Sequence, residues 1–121
     1  MNKLQTIINA GDINGYSDAG SVRKEMFHKE AQRILKKIAK DLNLAKADFK
    51  VRSNKSGIAG SGDICLHSNT FYVTVSEPNY GMKAVMYRTC KGLTDYKGGN
   101  NQWTDTEALY DGTLVEKLSR M

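Results

Sequence analysis

The sequence predicts an α+β domain: an antiparallel β-meander of about four strands packed against one long amphipathic helix, with short terminal helices. Three observations lead there. One stretch, near residues 17–43, repeats apolar residues at spacings of three, four and seven. Four short runs between residues 49 and 89 alternate apolar and polar side chains. Several of the breaks between them are tight turns, which favours antiparallel neighbours. A chain of 121 residues makes a single domain with one modest core.

Each element has its own signal. Leu4, Ile7 and Ile8 give Lys3–Ala10 a short helix that Gly11 can stop. The alternative is an arm that swaps onto a partner chain. Asp12–Gly15 is a polar turn. Ser17 or Ser21 caps the long helix, which runs to about Asn43. Its apolar stripe is read as Val22, Met26, Ile34, Leu35, Ile38 and Leu42, with Phe27 and Ala31 beside it. Arg23, Lys24, Lys29, Arg33, Lys36, Lys37 and Lys40 form the opposite face, and Glu25 and Lys29 stand in favourable i, i+4 order. The simpler reading of that face is solvation. The functional one is that Arg23 and Lys24, near the positive helix end, help to hold an anion.

The strands are read as Phe49–Arg52, Asp63–His67, Thr70–Ser76 and Met82–Thr89. Phe71, Val73 and Val75 fall on one side of the third, with Tyr72, Thr74 and Ser76 on the other. Ser53–Gly62 is glycine-rich, but no helix follows it and it lacks a terminal Gly-Lys-Ser/Thr, so it reads as a turn and not a phosphate loop. Thr104-x-x-Glu107 has the form of a capping box, and Leu114, Val115 and Leu118 suggest a last short helix.

The chemistry is sparse. His28 and His67 are the two histidines, and neither has Cys, Asp or Glu at metal-ligand spacing. No metal site, cofactor or catalytic set is expected, and the chain does not read as an enzyme. Cys65 and Cys90 lack a CxxC arrangement and read as reduced thiols, with a disulfide between neighbouring strands as the alternative. There is no apolar run of signal-peptide or membrane-spanning length, so the chain reads as cytosolic. Eighteen Lys and Arg against 13 Asp and Glu give a net charge of +5, a weak preference for anionic partners.

The strongest signal is the tract from Arg88 to Trp103. Gly92, Gly98 and Gly99 allow close backbone approach and offer N–H groups. Arg88, Lys91 and Lys97 can pair with phosphate, Arg88 as a fork. Tyr96 and Trp103 can stack on a base, or Trp103 can anchor the core. Asn100, Asn101 and Gln102 suit sugar or base edges. Asp95 and Asp105 flank the glycines and read as turn formers. Together these suit a nucleotide-like ligand.

The residues from Phe49-Lys50-Val51-Arg52-Ser53-Asn54-Lys55-Ser56-Gly57-Ile58-Ala59 through Tyr87-Arg88-Thr89-Cys90-Lys91-Gly92, with Asp95-Tyr96-Lys97-Gly98-Gly99 and Asn101-Gln102-Trp103, are similar to a widespread class of small phage proteins. Within that class, most of the chain resembles the phage anti-Thoeris sponge proteins. The resemblance implies capture, without cleavage, of a cyclic ADP-ribose isomer such as glycocyclic ADP-ribose, in the cytoplasm of the infected bacterial host. It implies a homodimer or higher homo-oligomer with pockets between protomers. Candidate roles follow: Arg88 and Arg23 for the pyrophosphate, Phe71 or Tyr87 for stacking, and Asn79, Asn100 or Asn101 for sugar hydroxyls. A basic anti-defence protein of the anti-CRISPR type, binding nucleic acid or protein, is the main alternative. A small phosphodiesterase is disfavoured for want of paired histidines.

Overall fold

The computed structural model describes residues 1–78 and 82–121. The fold is α+β. Helix α1 (Lys3–Asn9) and the long helix α2 (Asp18–Asp41) precede a single turn of 3-10 helix, Lys46–Asp48. Strands β1 (Phe49–Asn54), β2 (Asp63–Ser68), β3 (Phe71–Ser76), β4 (Val85–Thr89) and β5 (Gln102–Thr104) follow, then the short helices α3 (Glu107–Tyr110) and α4 (Thr113–Leu118). The sheet order is β1-β2-β3-β4-β5, antiparallel throughout. The meander therefore has five strands, one more than the alternation predicts, because three residues are too few to display a period.

Directly opposed residues share a face of a sheet. The register sets Val51, Leu66, Val73 and Tyr87 in one row and Ile64, Val75 and Val85 in the next, and α2 packs on this face. Phe27, Ala31, Ile34, Leu35 and Ile38 supply the helix side of the core. Val22 and Met26 do not belong to it: they are 59% and 45% exposed. The buried face of α2 runs through Phe27, His28, Ala31, Ile34, Leu35 and Ile38, and Met26, about 100° from Phe27 on the side away from His28, falls outside it.

Local chemistry fixes the ends. Ser17 caps α2, accepting from the Gly20 amide at 3.0 Å. Asn2 caps α1 and donates to the Thr106 hydroxyl at 3.0 Å, tying the two ends of the chain together. The Thr104-x-x-Glu107 box does not form. Thr104 lies in β5, and α3 starts after Thr106 with no side-chain cap. Glu25 pairs with Lys55 and not with Lys29. Buried Glu30 takes the Arg33 fork at 2.7 Å and the Tyr110 hydroxyl at 2.8 Å, joining α2 to α3.

His28 is the polar pin of the core. It is fully buried in α2; its Nε2–H donates to the Ser61 carbonyl and the Ser53 hydroxyl donates to its Nδ1, each at 2.7 Å. One ring thus holds the helix, β1 and the β1–β2 connection. Burial pushes its imidazole below the ordinary 6.5. The unfolded chain therefore binds this proton more tightly, so the contribution to stability is present above about pH 6.5 and is lost as the pH falls below it. His28→Ala leaves a void and an unpaired carbonyl and should cost about 2–4 kcal/mol in urea denaturation. It should also flatten the loss of stability between about pH 7 and pH 5. An unchanged midpoint and pH profile would remove His28 from this role.

Candidate functional site

Among the described residues, the face of the sheet away from α2 has no helical layer. Its strand residues form two principal rows. Lys50, His67, Tyr72 and Arg88 are directly opposed across β1 to β4. Arg52, Cys65, Thr74, Met86 and Trp103 are directly opposed across all five strands. Asn54, Asp63 and Ser76 follow at one end. The strands thus bring three cations, Lys50, Arg52 and Arg88, against one carboxylate, Asp63.

Residues 90–101 form a strap over the first row. Arg88 is its anchor. The guanidinium lies 4.6 Å from the centroid of the Tyr72 ring, a cation–π contact. Its Nη2 donates to the Tyr96 carbonyl at 2.6 Å and its Nη1 to the Asn101 Oδ1 at 3.3 Å. Tyr96 closes over His67 edge-on, centroids 5.2 Å apart, and its hydroxyl accepts from Arg52 Nη1 at 2.9 Å. His67 Nε2–H donates to the Gly92 carbonyl at 2.9 Å, a second tie. Two buried atoms under the strap, Arg88 Nε and His67 Nδ1, have no hydrogen-bond partner among the described residues.

Inside the strap lies a cleft of about 680 Å³, lined by Thr89, Cys90, Lys91, Asp95, Lys97, Gly98 and Gly99. Its amides resemble an anion nest, but they are already spent. Asp95 accepts from the Lys91, Lys97 and Gly98 amides at 2.9, 3.0 and 3.0 Å, and Gly99 donates to the Thr89 carbonyl at 2.8 Å. Asp95 is the turn former expected, and it is also the anion of its own nest. The three amides hold its carboxyl down at about 2. The Gly98 and Gly99 amides therefore do not stand open for a phosphate, as the composition suggested.

The other sequence-predicted residues divide. Trp103, on β5 opposite Met86, is 40% exposed on the open face and is not a core anchor. Asn101 binds Arg88, while Lys91 and Asn100 are exposed on the strap. Phe71 and Tyr87 are corrected: they are 2% and 3% exposed on the α2 side of the sheet, where the hydrophobic core leaves no face for a base. Arg23 does not join Arg88 within one chain. It sits in the helical layer across the sheet, donating to the Asp12 carbonyl at 2.8 Å. Asn79 lies outside the described residues.

Arg52, Tyr72, Cys65 and Thr74 were missed. Their signal was present in the alternation, since each is the polar or polarisable partner of an apolar neighbour in its strand. Only the register shows that they align. The Tyr72 hydroxyl is pushed up to about 12 by burial and then by the adjacent Cys65 thiol, so it remains a neutral donor. Cys65 and Cys90 are free thiols; Cys90 is buried and donates to the Ser68 carbonyl at 3.2 Å. Among the described residues no three of His, Cys, Asp and Glu are grouped to hold a metal ion, and no helix is long and apolar enough to cross a membrane.

The strap can be unfastened at two points. At Gly98, φ is +46°, and an added Cβ would meet the Thr89 carbonyl and come within 2.8 Å of Arg88 Nε. Gly98→Ala should therefore lift the strap and speed amide exchange at residues 97–99 by about tenfold or more, measured by NMR. Because the Asp95 pKa is depressed, its hold is complete above about pH 4 and fades as the pH falls through about 2. Unaltered exchange in Gly98→Ala would mean that the strap does not depend on this contact.

None of the protein-family models, curated proteins or solved structures compared with the chain matches it.

Proposed function

We propose that the chain is a non-catalytic binding protein that captures an anionic, ring-bearing nucleotide on the open face of its sheet and releases it chemically unaltered. In its specific form the ligand is a cyclic ADP-ribose-type signal, and the protein is a phage countermeasure that withdraws this signal from the bacterial Thoeris defence. One observation carries the reading. The helix-free face and its strap gather two arginines and three aromatic rings, Tyr72, Tyr96 and Trp103, and neither arginine forms a salt bridge with a carboxylate among the described residues. Unneutralised guanidinium groups beside ring faces suit phosphate and base together.

Capture requires affinity in the ground state and no stabilised transition state, so this surface can serve without a nucleophile or general base. The role of Arg88 in this reading is to seat the strap beside the ligand, because its Nη groups are committed to Tyr96 and Asn101. The reading also carries a homodimer or higher oligomer in the cytoplasm of the infected host, with the pocket completed by a second protomer. Light scattering that finds a monomer with and without nucleotide would remove the second protomer.

The competing nucleic-acid reading draws on α2, whose Lys29, Arg33, Lys36 and Lys40 are exposed. It predicts affinity that falls steeply with salt and is spread over many lysines. Calorimetry with cyclic ADP-ribose, followed by mass spectrometry of the ligand released on denaturation, separates the two. We expect micromolar or tighter binding and an intact ligand. Arg88→Ala should weaken it at least about tenfold, on the order of 1.4 kcal/mol. A cleaved ligand, or no binding of any ADP-ribose-type nucleotide at micromolar concentrations, would overturn the proposal.

A further inference from the structure

We infer that the outer face of α2 is a docking surface for an acidic amphipathic helix of another protein. An apolar side chain of that helix seats beside Met26, and its carboxylates run along Lys29, Lys36 and Lys40. The inference does not rest on nucleotide capture, because it concerns the helical layer and not the open face of the sheet.

Val22, Met26, Lys29, Arg33, Lys36 and Lys40 follow one another at alternating steps of four and three residues. At about 100° per residue all six fall within about 80° of the helix circumference, and the stripe is about 27 Å long. A stripe of this spacing is the seam along which a second helix lies. All six side chains are exposed, while Phe27, Ala31, Leu35 and Ile38 turn the other side of α2 to the core.

The stripe has two chemical halves. Val22 and Met26, one turn apart, are apolar side chains in solvent. Beside Met26 a cleft of about 330 Å³ opens between α1 and α2, lined by Lys3, Met26, Lys29, Glu30 and Arg33. The Glu30 carboxylate does not repel an acidic visitor, since it is committed to the Arg33 fork and the Tyr110 hydroxyl. The cleft can therefore take an apolar anchor such as leucine or phenylalanine. From Lys29 onward the stripe is cationic. Arg33 is paired with Glu30, whereas Lys29, Lys36 and Lys40 form no salt bridge among the described residues. Two carboxylates of the same helix are engaged elsewhere, Glu25 by Lys55 and Asp41 by Lys37.

That charge selects the occupant. A second copy of this chain is a poor fit: in parallel order the lysines would meet their own copies, and in antiparallel order Lys36 and Lys40 would cover Met26 and Val22. A nucleic-acid backbone would satisfy the lysines but leave Val22, Met26 and the cleft unused. An acidic amphipathic helix matches both halves.

The test uses a fluorescent synthetic peptide of about five helical turns whose heptads place leucine and glutamate on one face. Fluorescence anisotropy follows its binding to the whole chain at low salt. We expect a micromolar Kd, weakened about tenfold when the peptide's glutamates become glutamine or its leucines become serine. Met26→Ser and Lys36→Glu should each weaken it about tenfold, with circular dichroism and melting unchanged because both side chains are exposed. A chain carrying Lys29→Glu and Lys36→Glu should lose the acidic peptide and gain one with lysine in place of glutamate, an exchange that a merely structural role would not produce. Equal affinity for the serine peptide, or tighter binding of duplex DNA, would make the face a general polyanion surface and overturn the inference. Absence of peptide binding at about 100 μM would overturn it too.

Discussion

The structure depends on one constraint: among the described residues, a five-stranded meander with period-two alternation is covered by helix on one side only. Every strand residue must then choose between a core and a face exposed to solvent and a strap. Leu66, Val73 and Tyr87 go one way, while Cys65, Thr74, Met86 and Arg88 go the other. A one-residue slip of any strand would exchange its two sets, turning Arg88 into the core or Val73 onto the opposite face. The core that α2 demands and the cationic, aromatic surface opposite are set by the same register.

The strap completes that surface with few apolar contacts. Arg88 is held by the Tyr72 ring and by carbonyl oxygens, where a carboxylate would have cancelled its charge. Asp95, the acidic group close by, is turned inward onto three amides. The loop's own anion is spent on its own donors, and the open face remains positive. This division suits a surface that attracts anions but does not bind phosphate within the loop. It also explains why a glycine-rich, amide-rich cleft is a brace and not a site.

The long helix and the meander were legible because their periods are long enough to count. Ser17, Phe27, Ala31, Ile34 and Ile38 mark α2 clearly. Val22 and Met26 misled because spacings of three and four connect residues that drift around the cylinder, and only the partner layer says which side is inward. The fifth strand, β5, and the capping box were both misjudged where signals are only a few residues long: Gln102–Thr104 pairs with β4, and this takes Thr104 out of the box. For the site, Arg88, Asn101, Tyr96 and Trp103 stood out by composition, and the structure gathers them. Phe71 and Tyr87 were chosen as ring-bearing residues without regard to face. Arg52, Cys65 and Thr74 carry no motif; their alignment exists only across strand pairings distant in sequence.

The claim that the helix-free face is the binding surface is tested most directly by titrating the isotopically labelled protein with ADP-ribose and following every backbone amide by NMR. A ligand on this face predicts shifts concentrated at Arg52, Cys65, Thr74, Trp103 and the strap, with the exposed side of α2 unmoved. Shifts confined to Lys29, Arg33, Lys36 and Lys40, or none at saturating nucleotide, would contradict it.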